Sequence, residues 1–256
     1  MAQQAKQQSR KPKGMISSLA TNFVHARNPY TMAWWSAAFP GFGHISLGSY
    51  VVGFLLFIWE MVVNSNAKIN LAIFYSFTGQ YELAKEAVNN KWLLLYAPVF
   101  VYGVWSCYCL TLELNRLNAL AERNGEIIRP VSYSFYEINI LDKRVPWVSV
   151  AWTLLTPGLG HLYTHRIPTG FFLLVWWIAI VYLSNLLPCV QLTAFGNFEA
   201  AKAVVDIEYL VYMPSILGFA LYDVYVNTVE YNRLYEKEQA KFLEREYQHP
   251  NFDMPV

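Results

Sequence analysis

"FPGFGHISLGS" at residues 39–49 and "TPGLGHLYTHRIPTG" at residues 156–170 reveal how the chain is built, because both place Pro-Gly-x-Gly-His before an apolar run. Proline removes a backbone donor and glycine permits close backbone approach, so each stretch should break or bend a helix. The two motifs lie 117 positions apart, and the same offset aligns "ELNRL" at 113–117 with "EYNRL" at 230–234. The sequence therefore predicts two tandem repeats.

The composition indicates a chain that sits in lipid. Of its 256 residues, 55% are hydrophobic and 14% are charged, whereas a soluble domain carries about 25% charged residues. Long apolar runs cover residues 50–63, 92–112, 170–187 and 209–229. A span needs roughly 20 helical residues, so the first run must extend toward residue 69. The runs do not alternate as barrel strands do, which leaves helices.

We therefore predict an all-α multi-pass membrane protein. Each repeat supplies a short helix broken by Pro-Gly and two long hydrophobic helices, which gives four to six transmembrane segments in all. The predicted divisions are a basic, amphipathic N-terminal segment (1–26), a first membrane repeat (27–117), a polar linker (118–143), a second membrane repeat (144–234), and a charged C-terminal helix and tail (235–256). The apolar spacing from Met15 to Val24 predicts a short amphipathic helix on the membrane surface.

Two topologies stay open. If every apolar segment crosses, the halves are inverted; if the Pro-Gly segments are re-entrant, the halves are parallel. The distribution of Lys and Arg slightly favours the re-entrant arrangement. Both arrangements place the N- and C-termini in the cytoplasm, and we expect a cell-membrane location.

The candidate site residues of the motif are Pro40, Gly41, Gly43, His44, Pro157, Gly158, Gly160 and His161. Because broken backbone in a membrane must be covered by protein, we expect the two motifs to pack against each other. Two histidines are too few for a zinc site. We favour a structural role in which His44 and His161 fix the turn, with a shared metal or proton site as the alternative.

Charged residues add further candidates. Glu60 and Asp223 lie inside apolar runs, where acids are costly and often functional, yet their counterparts at the 117-residue offset are Trp177 and Ser106. The pairs Glu113–Arg116 and Glu230–Arg233 have helical ion-pair spacing and suggest a latch at the helix end. The sequence predicts no catalytic residue, no metal site and no cofactor.

The motif resembles the TM2-domain family and similar bacterial hairpin proteins. The match covers residues 35–59 and 152–176, and "GHLYTHRIPTG" fits better than "GHISLGSYVVG", which lacks the tyrosine. The Asp-Arg-aromatic signature of the eukaryotic members is absent. The resemblance implies two membrane-crossing helices joined by a glycine-rich turn, and it implies no chemistry.

These observations predict a non-enzymatic scaffold or accessory subunit of a membrane assembly. The expected partners are the lipid bilayer and a membrane protein or a second copy of this chain. A net charge of +1 gives no field to attract nucleic acid. A small-solute transporter is the first alternative, since such proteins use repeats and broken helices. A membrane-embedded enzyme that uses His44, His161, Glu60 or Asp223 is the second.

Overall fold

The computed structural model describes residues 13–124, 131–135 and 137–248, and the chain is mostly helical. We call 13–124 the first half and 131–248 the second half. The helices of the first half are α1 (Pro29–Ala38), α2 (Phe42–Ser46), α3 (Tyr50–Ala67), α4 (Ile69–Phe77), α5 (Tyr81–Ala87) and α6 (Asn90–Asn124). Those of the second half are α7 (Pro146–Leu155), α8 (Leu159–Tyr163), α9 (Ile167–Leu183), α10 (Leu186–Ala194), α11 (Phe198–Val204), α12 (Ile207–Leu210) and α13 (Tyr212–Tyr247).

The helix boundaries follow the 117-residue offset: α1 and α7 begin at Pro29 and Pro146, and α6 and α12 at Asn90 and Ile207. The last long helix differs, because it is continuous in the first half and divided into α12 and α13 in the second.

Within the described ranges, three helical stretches are long and apolar enough to cross a membrane: Tyr50–Ala67, Asn90–Glu122 and Ile207–Tyr247. A fourth span is formed if Ile167–Leu183 and Leu186–Ala194, bent by 57°, count as one. These lengths bear out the all-α membrane fold in its coarse form.

The N-terminal segment departs from the prediction. Residues Gly14–Ile16 (β1) and Thr21–Phe23 (β2) form an antiparallel hairpin, so the amphipathic helix predicted from Met15 to Val24 is wrong. Ser17 closes the turn, since its backbone amide and its hydroxyl both donate to the carbonyl of Ala20. The predicted linker contains the corresponding hairpin, Val131–Tyr133 (β3) with Ile138–Ile140 (β4).

Each Pro-Gly element bends back on itself. Gly41 and Gly158 have φ angles of 101° and 107°, a region that favours glycine. Arg27, before α1, donates a hydrogen bond to Ser46 at the end of α2. In the second half, the Val145 amide lies 3.3 Å from the Tyr163 hydroxyl. The two ends of each element therefore lie side by side.

Aromatic side chains join the two halves. Phe42 stacks on Phe219 with ring centroids 4.1 Å apart, and Phe54 stacks on Phe172 at the same distance. The first Pro-Gly element is therefore covered in part by α13 of the second half. Its aromatic residues reach across to α13, because a flat ring offers more contact area than a glycine turn.

Candidate functional site

Asp223 on α13 is the centre of a buried polar cluster. Its Oδ1 accepts hydrogen bonds from the Ser46 hydroxyl at 2.5 Å and from Asn227 Nδ2 at 2.8 Å. Its Oδ2 accepts from His161 Nε2 at 3.1 Å and pairs closely with the Arg166 guanidinium. Asp223 and His161 are both 0% exposed. A buried carboxylate is stable only with such partners, and here both oxygens have two.

Arg27 extends the cluster into the first half. Its guanidinium donates to Ser46, to Asn227 Oδ1 at 2.7 Å and to His25 Nε2 at 3.1 Å. Burial, reinforced by the charge of Arg27, lowers the pKa of His25 to about 3, so the imidazole is neutral at physiological pH. The cluster thus ties the start of the first Pro-Gly element to the last helix of the second half.

A half-open cavity of about 250 Å³ adjoins this cluster. Arg27, Arg166, Asn115, Asn227 and Tyr50 lie on its wall. Of the described residues, two arginines and no acidic residue line it, and the Asp223 carboxylate balances one of the two charges. The lining is therefore electropositive, and its donors suit an anionic group.

The two histidines of the motif have equivalent contacts. His44 Nε2 lies 2.9 Å from the Ser106 hydroxyl, and Ser106 is the counterpart of Asp223. The Nδ1 atoms of His44 and His161 are buried without a hydrogen-bond partner among the described residues. His161 donates from Nε2 to the Asp223 carboxylate, whereas in the first half His44 Nε2 and the Ser106 hydroxyl share one hydrogen bond. No group of three metal-ligating side chains occurs in the described parts of the chain.

Glu60 lies apart from the Asp223 cluster. Its Oε1 accepts from Asn64 Nδ2 at 2.7 Å, and Asn64 in turn donates to Asn70. Asn70 donates to the backbone carbonyl of Glu208 at 3.0 Å. The side chain of Glu208 accepts from the Leu71 amide at 2.9 Å. This second polar cluster joins α3 and α4 to α12, so Glu60 also belongs to a junction between the halves.

The helix-end motif Glu-x-Asn-Arg-Leu works through its asparagine. Asn115 accepts from the Arg27 amide at 2.9 Å and donates to the Arg27 carbonyl at 2.8 Å. Asn232 makes the same two bonds to Arg144, at 2.8 and 2.6 Å. The predicted Glu230–Arg233 ion pair is present. Between the exposed side chains of Glu113 and Arg116, both in the described region, no ion pair forms, so the latch predicted there is wrong.

We expect Asn115→Ala and Asn232→Ala each to lower the free energy of unfolding by about 2 kcal/mol, because two hydrogen bonds worth roughly 1 kcal/mol each are lost. Denaturant titration in detergent measures this. Glu113→Ala, two residues away and exposed, is the matched control and should leave stability unchanged. Equal losses for Glu113→Ala and Asn115→Ala would contradict the role of the asparagine.

Sequence reasoning found Asp223 and His161 but not their partners. Arg27, Arg166, Ser46 and Asn227 come from four separate positions, and no spacing rule connects them. One signal was available: Arg166 lies next to the second motif, where its counterpart is Ser49. The remaining motif residues lie in the two bends: Pro40, Gly41, Gly43, Pro157, Gly158 and Gly160.

No protein-family model, no curated protein and no solved structure matches the chain.

Proposed function

We propose that this chain is a multi-pass protein of the cell membrane that acts as a non-enzymatic scaffold or accessory subunit of a membrane assembly. The proposal rests on the hydrogen bonding of the Asp223 carboxylate. Its carboxylate is saturated by donors of the same chain, from both halves. Of the four residues that an enzyme would use, only His161 and Asp223 meet. A carboxylate bonded in this way stabilises the contact between the two halves and has no free oxygen for a reaction.

We further propose two parallel repeats, each with a re-entrant Pro-Gly hairpin and two spans. Two contacts support this topology. The adjoining ends of each Pro-Gly element, described above, return the chain to the side from which it came. Lys237, in the C-terminal third of α13, lies 3.4 Å from Glu122, near the end of α6, and this contact supports placing the two helices' C-terminal parts on the same side. With the Lys and Arg distribution, that side is the cytoplasmic one, together with both termini. The family resemblance, with two crossings per hairpin, is the competing arrangement.

Thiol labelling of intact cells tests the orientation. In a chain with Cys109→Ala and Cys189→Ala, we expect Lys85→Cys, in the exposed turn of α5, to react with an impermeant maleimide. Asp142→Cys, after β4, should react only after the membrane is permeabilised. Labelling of Asp142→Cys in intact cells would refute the cytoplasmic placement, and labelling of both sites would refute the parallel repeats.

Copurification tests the scaffold function. Full-length protein, extracted from its own membrane in a mild detergent, should elute with a stoichiometric protein component rather than as a single 29.5 kDa chain. A single chain in every mild detergent, combined with solute uptake by proteoliposomes, would overturn the scaffold and establish the transporter.

The electropositive cavity favours a second candidate function, the binding or transport of a small anion. Two guanidinium groups against one carboxylate suit a phosphate group, either free or in a lipid headgroup. Val24→Trp, which lies just after β2 and lines the cavity, is the test variant. Inorganic phosphate should raise the melting temperature of the wild type and not of the variant; if only phosphatidylglycerol vesicles do so, the ligand is a headgroup. No shift from either would eliminate this candidate.

A further inference from the structure

The contact between the two halves uses a different face of each. The first half contributes Trp35, Phe42 and Phe54, and the second half contributes Phe172, Phe219 and Tyr222. We call the first set the hairpin face and the second set the helix face. In a two-fold contact, the hairpin face of each half would meet the helix face of the other, so each half would use both faces. Here the hairpin face of the first half meets the helix face of the second, and the reverse contact is not made. The contact is therefore heterologous, that is, head-to-tail.

Because the chain is duplicated, each half also carries the counterpart of the face that it does not use. The free hairpin face, on the second half, consists of Trp152, Leu159 and Phe171, and the free helix face, on the first half, consists of Leu55, Tyr102 and Trp105. The offset holds at these positions, since His44–Ser106 repeats as His161–Asp223. Trp105 is 62% exposed and Trp152 is 46% exposed, whereas Phe42 and Phe219 are fully buried.

The free faces carry polar atoms where lipid cannot satisfy them. Tyr102 stands where the covered helix face has Phe219, and it is 55% exposed. It lies ten residues from either end of the apolar run 92–112, which is about 15 Å along a helix. A tyrosine hydroxyl at that depth needs a partner.

Positions that face lipid in a duplicated protein should be exposed in both halves. Ile58 and its counterpart Val175 behave in this way, with 45% and 61% of their surface exposed. The two interface faces behave differently, because each is covered in one half and open in the other. This difference singles them out from the general apolar surface.

We infer that the free helix face of one chain binds the free hairpin face of a second copy, repeating between chains the contact that joins the halves within one. The inference rests on the proposed scaffold function and names its partner as this chain itself. Phe42–Phe219 within the chain then corresponds to Leu159–Tyr102 between chains. A heterologous contact closes into a ring or continues as a row, according to the rotation between neighbours.

Crosslinking of two differently tagged full-length copies tests this contact, in a background with Cys109→Ala and Cys189→Ala. One copy carries Leu159→Cys and the other Tyr102→Cys, and a short bismaleimide joins them. We expect a product that carries both tags, and no product from either variant alone. The double variant Phe42→Cys, Phe219→Cys should crosslink within one chain as the positive control. Products from single variants would indicate a two-fold contact and overturn the inference.

The native mass in mild detergent provides the second measurement. The wild type should exceed one chain, and Trp105→Ala or Trp152→Ala should each reduce the mass to that of one chain without loss of helicity. Val175→Ala is the matched control and should leave the mass unchanged. If the wild type is a monomer, forms no mixed crosslink and still copurifies a different protein, self-assembly is refuted but the scaffold function is not. A monomer without any partner would refute the scaffold as well.

Discussion

Replacing Asp223 with asparagine should lower the free energy of unfolding by about 3–5 kcal/mol, the usual cost of leaving a buried charge without its partner. The substitution keeps the shape of the side chain but removes the charge that offsets Arg27 and Arg166. It also leaves the Arg166 guanidinium, which pairs closely with Oδ2, facing a neutral amide. Denaturant titration of the purified protein in detergent measures the change.

Two control variants separate this effect from the effect on stability of substituting any polar side chain. Glu236→Gln removes a carboxylate that forms an exposed pair with Lys143, and such pairs contribute little, about 0–1 kcal/mol. Ser106→Ala alters the counterpart position in the first half, where one neutral hydrogen bond between Ser106 and His44 is lost. A loss for Asp223→Asn no larger than for Ser106→Ala would mean that the charge of Asp223 does not stabilise the buried arginines.

Alanine in place of Gly43 or Gly160 should be the second large perturbation, lowering stability by about 1–3 kcal/mol through overpacking. An added Cβ at Gly43 would lie less than 3.0 Å from Cys107 Sγ and the Met32 carbonyl oxygen. At Gly160 it would lie less than 3.0 Å from the Ser149 carbonyl oxygen, which is backbone and cannot rotate away. Leucine at either position should be worse, because its branched side chain needs still more room.

Gly103→Ala on α6 is the matched control. An added Cβ there meets Leu56 Cδ1 at 3.7 Å, an ordinary contact. Alanine is also a better helix former than glycine, by about 0.8–1 kcal/mol. We therefore expect Gly103→Ala to be neutral or stabilising in the same denaturant titration. If Gly43→Ala and Gly160→Ala are equally harmless, the close packing of the two bends is not needed for the fold.

The apolar runs and the Pro-Gly motif allowed the helices to be predicted, because helix length and backbone breaks follow from local chemistry. The N-terminal hairpin was missed because its apolar residues also fit a helical period over ten positions, from Met15 to Val24. A tertiary contact favours the strand conformation here, because Asn139, in β4, donates to the Ser17 carbonyl and the Thr21 hydroxyl. That contact spans more than a hundred residues and leaves no local pattern.

The candidate site was predictable only in part, for a related physical reason. An acid inside an apolar run stands out in any sequence, so Asp223 was found. Its partner arginines lie at the ends of apolar segments, where basic residues are ordinary interfacial groups. Only the folded chain reveals that Arg27 and Arg166 turn inward. The same holds for Asn115 and Asn232, whose role depends on the backbone of Arg27 and Arg144.

The parallel arrangement of the two halves is the central claim, and one distance tests it most directly. Spin labels introduced by Glu122→Cys, near the end of α6, and Lys237→Cys, in the C-terminal third of α13, report the separation of these two helix segments in a lipid bilayer. In the present fold the two native side chains lie 3.4 Å apart. We predict a label separation well below the hydrocarbon thickness of about 30 Å. A separation at or above that thickness would place the two ends on opposite sides and contradict the parallel repeats.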